Sequence, residues 1–555
     1  MERLLASALG EEPADAVFAG CSLFNPLDCS WEETSLAVTS GIVVGTGDYR
    51  GREVHDLDGA RVVPGLIDAH VHIESSLLVP TEYARAVLPH GTTTVIADPH
   101  EIANVAGIRG IQYLMEEASL SPLDFLFTLP SCVPSTPDDP GGAILSAADL
   151  LPFIGRAGVI GLGEMMNVPG VLGGDREVRE KLSLSTIRDG HAPGLSGKSL
   201  NAYILSGLQS DHECTHLEEA REKLRKGMFI MVREGSTEQN LRNLLPLVTP
   251  CSVGRCSFAT DDRHADLLAR EGHIDDCIRE AVSSGLDPDL AIRMATLSPC
   301  ERFGLTDRGA VAPGRIADFC ILENGKEFRV RRTYKRGVPA GEIPYRKPGV
   351  LRTPFSCAAP DTASMKIRGA GGARVIGLIP GQIATKDLRY PVREDEIPDT
   401  GRDILKIVAC DRYGRGRVGV GLVHGFGLTS GAIASSVSHD AHNVVAVGTS
   451  DGEILRAIRE VTAGDGGMAV VSGKGTTVLP LECAGLMSAE PFHVVADRLS
   501  ELEEKAASLG ALPHPFMHLS FLALPVIPEL RITPRGLFDS VAFRQVDLFP
   551  AESEN

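Results

Sequence analysis

The first residues that could do chemistry are two histidines, His70 and His72, at the end of the string Val63-Pro-Gly-Leu-Ile-Asp-Ala-His-Val-His72. Side chains of a strand alternate between its two faces, so histidines two positions apart project on the same side and can bind one ion together. The apolar residues before them predict a strand covered on both faces, where imidazole nitrogens would act as ligands in a water-poor setting. The H-x-H spacing alone also fits two half-exposed histidines.

Further residues with ligand-type side chains follow predicted strands or lie in loops that could follow one: Glu164, His191, His212 and Asp261. In a barrel of parallel strands the C-terminal strand ends meet at one mouth, so residues far apart in sequence become neighbours there. Histidine and carboxylate ligands suit divalent metals such as Zn, Mn or Fe(II). Taken singly, each of these residues is more often a capping or surface group. Their joint occurrence in this order predicts a metal site.

A carboxylate can give one oxygen to each of two ions, and Glu164 is the candidate for such a bridge. We predict a first ion held by the two strand histidines with Asp261, and a second held by His191 and His212. Two ions that share a water would lower its pKa and generate hydroxide at neutral pH. Asp261 could take the proton from that water and return it to a leaving group. Asp261 and Glu164 are therefore the predicted catalytic residues.

The elements that must position these residues are short apolar strands separated by helical stretches. Between residues 63 and 305 the predicted strands are 92–97, 157–162, 228–232 and 256–259, and the predicted helices include 217–226 and 274–284. Strand and helix alternation over this length predicts an α/β fold, a (β/α)8 TIM-like barrel of parallel strands.

Strands on both sides of the barrel region predict a discontinuous β domain, formed by residues 1–62 plus 306–345. Residues 346–364 belong to a stretch rich in proline, glycine and basic residues, which predicts a linker. Residues 365–555 mix strands and helices, and we predict a separate C-terminal α/β domain there.

Composition narrows the class of protein. The chain has 555 residues, a hydrophobic content of 43% and a formal net charge of −19, which disfavours a nucleic-acid backbone as partner. Its 12 cysteines include no C-x-x-C pair, as expected for reduced thiols in a cytoplasm. No stretch has the length and apolarity of a membrane span or of an export signal.

Several strings carry a family resemblance: Pro64-Gly-Leu-Ile-Asp-Ala-His-Val-His-Ile-Glu-Ser-Ser76, Asp98-Pro-His-Glu-Ile-Ala-Asn104, Gly163-Glu-Met-Met-Asn167, Asp189-Gly-His-Ala-Pro-Gly194 and Thr260-Asp-Asp-Arg263. They resemble the amidohydrolase superfamily and, within it, the bacterial adenine deaminases. Residues 437–443 and 522–530 resemble the extra C-terminal domain of that family. His264 stands where the family pattern has asparagine, so the loop near the substrate is expected to differ.

The resemblance implies hydrolysis of adenine to hypoxanthine and ammonia in purine salvage, by a shared hydroxide that attacks C6. It also implies two Mn or Fe ions and a homo-oligomeric, cytoplasmic enzyme. Asp98, His100 and Glu101 would orient the metal ligands or bind ring nitrogens of the substrate. The alternative for this segment is an ordinary turn, for which aspartate and proline are common. His439 and His442 lie outside the barrel region, and their role is left open.

Other functions fit parts of the same pattern. The site could act on another cyclic amidine or amide, because one sequence does not identify the residues that line the pocket. A non-catalytic relative could use the barrel as an assembly surface, although it would have no reason to keep every ligand position. The string His212-Glu-Cys-Thr-His216 matches the H-E-x-x-H motif of zinc proteases. The charged helix predicted after it suits the outer surface of a barrel better than the core of a protease.

Overall fold

A short helix and a group of strands precede the histidine pair in the computed structural model, which describes residues 1–550 apart from 324, 326, 394–396 and 474. They are α1 (Glu2–Ala8), β1 (Ala14–Asn25), β2 (Ser30–Thr39), β3 (Ile42–Thr46), β4 (Gly51–Asp56) and β5 (Arg61–Pro64). β1 pairs antiparallel with β2 and parallel with β4 and β5. This group therefore forms one sheet before the chain enters the region of the predicted barrel.

Residues 63–305, every one of which is described, contain eight strands that pair in parallel. They are β6 (Leu66–Val71), β7 (Thr92–Ala97), β8 (Asp124–Leu129), β9 (Val159–Met165), β10 (Arg188–Gly190), β11 (Ser210–Asp211), β12 (Phe229–Arg233) and β13 (Cys256–Ala259). One sheet runs in the order β10-β9-β8-β7-β6 and a second in the order β11-β12-β13. All residues of β6, β7, β12 and β13 are buried, as expected for parallel strands covered on both faces.

Backbone and side-chain contacts connect the two parallel sheets at both ends. On one side Val71 of β6 forms a parallel bridge with Asp261, just beyond β13. The N–H of Asp261 donates to the carbonyl oxygen of His70 at 3.0 Å. On the other side the N–H of Gly190 in β10 donates to Oγ of Ser210 in β11 at 3.3 Å. The strand ends that carry the predicted ligands are thereby brought to one place.

Helices connect the successive parallel strands, because a parallel pair cannot be joined by a tight hairpin. They are α2 (Pro80–Val87), α3 (His100–Ala106), α4 (Ile108–Ala118), α5 (Ala147–Leu150), α6 (Val168–Gly173), α7 (Arg176–Leu182), α8 (Gly197–Leu205), α9 (Leu217–Arg225) and α10 (Leu241–Leu244). The last parallel strand, β13, is followed by α11 (Ala265–Arg270), α12 (Ile274–Ser283), α13 (Pro288–Met294) and α14 (Leu297–Phe303). No helix in the described part of the chain is long and apolar enough to cross a membrane.

After the last of these helices the chain returns to the first sheet. β14 (Phe319–Leu322), β15 (Val330–Lys335) and β16 (Val338–Pro339) extend it in the order β16-β15-β14-β5-β1-β2-β3. Phe18 of β1 packs edge-on against Phe319 and Tyr334, with ring centroids 4.9 and 5.1 Å away. The N-terminal strands and the strands after the barrel region therefore share one core. Residues 346–364 contain no helix or strand.

The C-terminal part of the chain is built on a second mixed sheet, in the order β18-β17-β20-β19-β22-β21-β23-β24. The strands and helices of this part of the chain are β17 (Ala370–Leu378), β18 (Thr385–Arg393), β19 (Ile404–Cys410), β20 (Val418–His424), β21 (Ala432–Ser435), β22 (Val444–Gly448), α15 (Asp451–Ala463), β23 (Gly467–Ser472), β24 (Gly475–Pro480), α16 (Phe492–Ser508), α17 (Pro515–Phe521), β25 (Leu530–Thr533), β26 (Gly536–Asp539) and β27 (Arg544–Val546). Ile407 and Val445 of this sheet belong to the same hydrophobic core as Ile73 and Leu77, which follow β6.

A buried lysine ties together the segments that carry the predicted ligands of the second ion. Nζ of Lys223 in α9 donates to the carbonyl oxygen of Ala192 at 2.6 Å and to Oδ2 of Asp211 at 2.9 Å. The N–H of Ala192 donates to the other oxygen of Asp211 at 2.8 Å. Ala192 and Asp211 each adjoin a predicted histidine ligand, so this network fixes the spacing between the two histidines.

Replacing Lys223 by Met should destabilise the protein strongly, because the charge of Asp211 would remain buried without its partner. Breaking a buried ion pair in this way costs about 3 to 5 kcal/mol. Thermal unfolding followed by circular dichroism measures the effect. Arg221→Met is the matched control, since Arg221 pairs with Glu218 on the exposed face of the same helix. It should cost less than about 1 kcal/mol. Equal unfolding midpoints for the two variants would show that the buried network contributes nothing.

Candidate metal centre

The six predicted ligand residues all lie at the C-terminal ends of parallel strands. His70 is in β6 and His72 follows it, Glu164 is near the end of β9, and the other three follow β10, β11 and β13. All six side chains are buried, and the most exposed of them, that of His191, has 5% of its surface accessible. The six residues are His70, His72, Glu164, His191, His212 and Asp261. The structure thus brings together, away from water, every residue that was predicted to bind metal.

The first group of ligand atoms is formed by His70, His72, Glu164 and Asp261. Nε2 of His72 lies 3.2 Å from Nε2 of His70 and 3.1 Å from Oδ1 of Asp261. It also lies 3.2 Å from Oε1 of Glu164. Ligands on one ion, each about 2.0 to 2.2 Å from it, are separated by about 3 to 3.5 Å. The three distances from Nε2 of His72 fall in this range, and Nε2 of His70 lies 3.5 Å from Oδ1 of Asp261 and 3.9 Å from Oε1 of Glu164. These four side chains could therefore share an ion.

The second group uses the other oxygen of Glu164. Oε2 of Glu164 lies 2.7 Å from Nδ1 of His191 and 3.3 Å from Nε2 of His212. The two carboxylate oxygens thus face two different pairs of imidazoles, which is the arrangement expected of a bridging ligand. Oε1 of Glu213 lies 3.6 Å from Nδ1 of His191 and also 3.6 Å from Nε2 of His212.

Glu213 is a site residue that the sequence analysis did not identify. Nη1 of Arg233 donates to Oε1 of Glu213 at 2.5 Å and to Oδ2 of Asp261 at 2.7 Å. Nη2 of Arg233 donates to Oε2 of Glu213 at 3.0 Å. The guanidinium therefore connects a carboxylate beside the second group with one in the first. The available signals were the position of Arg233 at the end of a predicted strand and the position of Glu213 next to His212.

Second contacts hold the imidazole rings of the first group. Nδ1 of His70 lies 3.5 Å from Oδ2 of Asp189, and Nδ1 of His72 lies 3.0 Å from the carbonyl oxygen of Asp98. Partners on the far ring nitrogen fix the orientation of a ligating histidine. Oδ2 of Asp98 also accepts the backbone N–H of Glu164 at 3.0 Å. Asp98 therefore supports two of the ligand residues at once.

His100 and Glu101 lie between the ligand groups and the C-terminal part of the chain. Nδ1 of His100 is 3.5 Å from Oε1 of Glu164, and its Nε2 is 3.2 Å from Oε1 of Glu101. The two oxygens of Glu101 contact Nδ1 of His439 and Nε2 of His442. His439 and His442, to which the sequence assigned no role, are thus connected to the site by the carboxylate of Glu101.

Both acidic ligands are ionised despite their burial. Burial opposes a charge on Glu164, but His191, His212 and His72 hold the pKa of that carboxyl well below its usual range. Burial likewise opposes a charge on Asp261, and neighbouring histidines together with Arg233 hold its pKa well below the usual range. The donor set is therefore two carboxylates with four imidazoles, which fits borderline divalent ions.

A small cavity opens next to these ligands. One side consists of site residues from the parallel strands and their loops, including His72, His100, Glu164 and Asp261. The other side comes from the C-terminal part of the chain: Ile383, His439, Asp440, Phe521 and Leu524. Both parts of the chain are needed to enclose the space.

His264, which departs from the family pattern, lies at the N-terminus of α11 outside the lining of this cavity. Its side chain is buried, and burial together with His514 and His439 lowers its pKa to about 3. Its backbone N–H donates to Oγ of Ser236 at 2.9 Å. The imidazole is therefore neutral at physiological pH.

Comparison with known proteins extends over the whole chain. The amidohydrolase family model matches residues 61–340, and the adenine deaminase C-terminal domain model matches residues 382–544. An adenine deaminase of Methanoregula boonei is 60% identical over 99% of this chain and 98% of its own length. One of Methanoculleus marisnigri is 62% identical over 92% of this chain and 99% of its own length. One of Desulfatibacillum aliphaticivorans is 44% identical over 99% of each chain. The resemblance found in the sequence motifs is confirmed, and the chain belongs to the adenine deaminase family of amidohydrolases.

Proposed function

We propose that this chain hydrolyses adenine to hypoxanthine and ammonia at the buried centre around Glu164. The observation that carries the proposal is the placement of the two Glu164 oxygens, each opposite its own group of imidazoles, beside a small cavity. Membership in the adenine deaminase family supplies the substrate and the reaction.

The centre is proposed to hold two divalent ions, Mn²⁺ or Fe²⁺. His70, His72 and Asp261 would hold one ion, His191 and His212 the other, and Glu164 would bind both. When bound, such ions polarise the substrate and lower the pKa of water, so that a nucleophile is available at neutral pH. The crowding of imidazole nitrogens supports this assignment. Nε2 of His70 lies 3.2 Å from Nε2 of His72. A cation bound by both nitrogens would remove the repulsion between their lone pairs.

Asp261 is proposed to move the proton during the reaction. Its carboxylate would accept a proton from the attacking water and give it to the amino group on C6, which leaves as ammonia. C6 keeps the oxygen of that water, and the product is hypoxanthine. The hydrogen bond from Arg233 at 2.7 Å fixes one carboxylate oxygen and leaves the other directed at the histidine pair. Proton transfer by a positioned carboxylate needs such fixed geometry.

We further propose that the eight parallel strands form a complete (β/α)8 barrel from residue 63 to 305. The discontinuous β domain comprises residues 1–62 plus 306–345, the linker is 346–364, and the C-terminal domain is 365–555. The bridge between Val71 and Asp261 supports barrel closure on one side. The hydrogen bond from Gly190 to Ser210 supports it on the other. Closure explains why ligands from the first and last strands of the set meet.

The direct test incubates adenine with Mn-loaded protein and with protein stripped of metal by a chelator. Ultraviolet spectra should show conversion of adenine to hypoxanthine with an equal amount of ammonia released, and only in the metal-loaded sample. If metal binds and adenine stays unchanged, the substrate assignment is wrong. Other purines, pyrimidines and cyclic amides would then be screened with the same protein.

Glu164→Gln should lower both metal content and activity, because a neutral amide bridges two cations poorly. Loss of a partner outside the ligand shell already costs about 10- to 100-fold in affinity or activity, so loss of the bridge should exceed about 100-fold in kcat/KM. Plasma emission spectrometry would measure the metal content per chain. Glu180→Gln, at an exposed site on α7, is the control and should match the parent protein. Near-normal activity of Glu164→Gln with two bound ions would refute the bridge.

Asp261→Asn should reduce kcat by about 10²- to 10⁴-fold, since an amide cannot accept and return the proton. Asp261 is also a proposed ligand, so metal content must be measured in the same samples. The comparison is made at saturating Mn²⁺, with adenine affinity measured by equilibrium dialysis over a time shorter than one turnover. Full kcat in the variant would remove Asp261 as the proton carrier.

A further inference from the structure

The wall of the cavity that comes from the C-terminal part of the chain contains one polar ring, that of His439. This residue lies between β21 and β22, and 2% of its surface is exposed. Its Nδ1 contacts Glu101, whereas its Nε2 has no hydrogen-bond partner among the described residues. The nearest acidic atom to Nε2, Oδ1 of Asp262, is 4.0 Å away. A buried polar nitrogen without a partner is unfavourable, so a partner supplied by a ligand would stabilise it.

We propose that Nε2 of His439 forms a hydrogen bond with a ring nitrogen of the purine. The C-terminal part of the chain would then contact the substrate directly. The proposal rests on the proposed function and adds a substrate-contacting residue to it. Purine rings present several ring nitrogens besides the carbon that reacts, and an imidazole in the cavity wall can pair with one of them. The metal centre would then act on C6 while His439 selects for the heterocycle.

Phe521 completes this recognition surface. Its ring stacks on that of His439, with centroids 4.6 Å apart and planes inclined by 22°. Both side chains line the cavity, together with the apolar Ile383 and Leu524. Flat aromatic and aliphatic surfaces suit a purine ring, and an aromatic neighbour limits the rotation of the imidazole. The wall thus places the polar groups of His439 and Asp440 beside three apolar side chains.

The position of His439 is fixed from the barrel side. Glu101, at the start of α3, contacts His439 through one carboxylate oxygen and His442 through the other. Nδ1 of His442 in turn accepts the backbone N–H of Ser438 at 3.2 Å. Burial lowers the pKa of His439, but the charges of Glu101 and Asp262 raise it to about 9, which leaves a hydrogen on Nε2 at neutral pH. Nε2 is then a donor suited to the lone pair of a ring nitrogen.

The apolar residues of the wall are fixed by a buried arginine. The guanidinium of Arg531 donates to the carbonyl oxygens of Phe521 at 2.9 Å and of Ile383 at 2.8 Å. It also donates to Ile527 at 2.7 Å and to Pro528 at 2.8 Å. Arg531 is fully buried and makes these contacts with backbone alone, so it is a positioning residue for the wall. A wall that is held before substrate arrives needs little reorganisation on binding.

A purely structural alternative is that His439 only joins the C-terminal part of the chain to Glu101. Two variants separate the roles, because the amide nitrogen of Asn can replace Nδ1 and that of Gln can replace Nε2. His439→Asn keeps a donor for Glu101 and removes the group that faces the cavity. His439→Gln keeps a donor towards the cavity and loses the contact with Glu101. His493→Asn, at an exposed histidine of α16, is the matched control.

The experiment measures the Kd of hypoxanthine for each Mn-loaded protein by calorimetry and the kcat/KM for adenine. His439→Asn should weaken hypoxanthine binding by about 10- to 100-fold, as expected for loss of a hydrogen bond to a charged group. His439→Gln should retain most of the affinity, and His493→Asn all of it. A thermal unfolding scan checks that each variant is folded. If His439→Asn binds hypoxanthine as tightly as the parent, the proposal is wrong.

Inhibition by 1-, 3- and 7-deazaadenine identifies the ring nitrogen. Replacing the paired nitrogen by C–H should remove the difference between His439→Asn and the parent for one analogue only. An equal loss with adenine and with every analogue would indicate a structural role and overturn the proposal. Failure of the proposed function is distinguishable, because the parent protein itself would then leave adenine unchanged in the presence of metal.

Discussion

The ionised carboxylate of Glu164, buried with 3% of its side chain exposed, is the constraint on which the site depends. Moving a charge out of water is strongly unfavourable unless positive charge or donors replace the lost hydration. Here His191 and His212 face one oxygen of the carboxylate and His72 faces the other. The cations that the family implies would complete this compensation. The surrounding histidines therefore stabilise the ionised form of one buried carboxylate.

This constraint explains why the site needs so much of the chain. His70 and His72 come from one strand, but the other ligand residues come from four further strands, so neither proposed ligand group is complete until several strands have assembled. Charged residues behind the ligands add connections between strands, as when Arg233 of β12 binds both Glu213 and Asp261. Breaking such a pair leaves a buried charge, which makes the arrangement cooperative. An ion held by a completed ligand group would accordingly stabilise the assembled strands.

The sequence predicted the parts of this arrangement that depend on local pattern. The predicted strands 92–97 and 256–259 have the bounds of β7 and β13, because each is a short apolar run with turn residues on both sides. The predicted strand 157–162 starts too early, since Gly158 has a φ of +84°, which ends the turn before β9. β10 and β11 have 3 and 2 residues and no apolar run, so no periodicity could reveal them. The ligand residues that follow them were found through their chemical type.

Contacts between distant parts of the chain were beyond the reach of the sequence pattern. Glu213 was considered only within an H-E-x-x-H motif, because its pairing with Arg233 depends on how neighbouring strands align. Glu101 and His439 are separated by 338 positions, and nothing local in either segment indicates the other. Yet this pairing places a C-terminal ring in the wall of the cavity beside the metal ligands. The parallel strands alone would hold the ligand residues but would leave that side of the cavity without a wall. Because water competes for every hydrogen bond to a small heterocycle, the proposed recognition of substrate would depend on the C-terminal part of the chain as much as the proposed chemistry depends on the parallel strands.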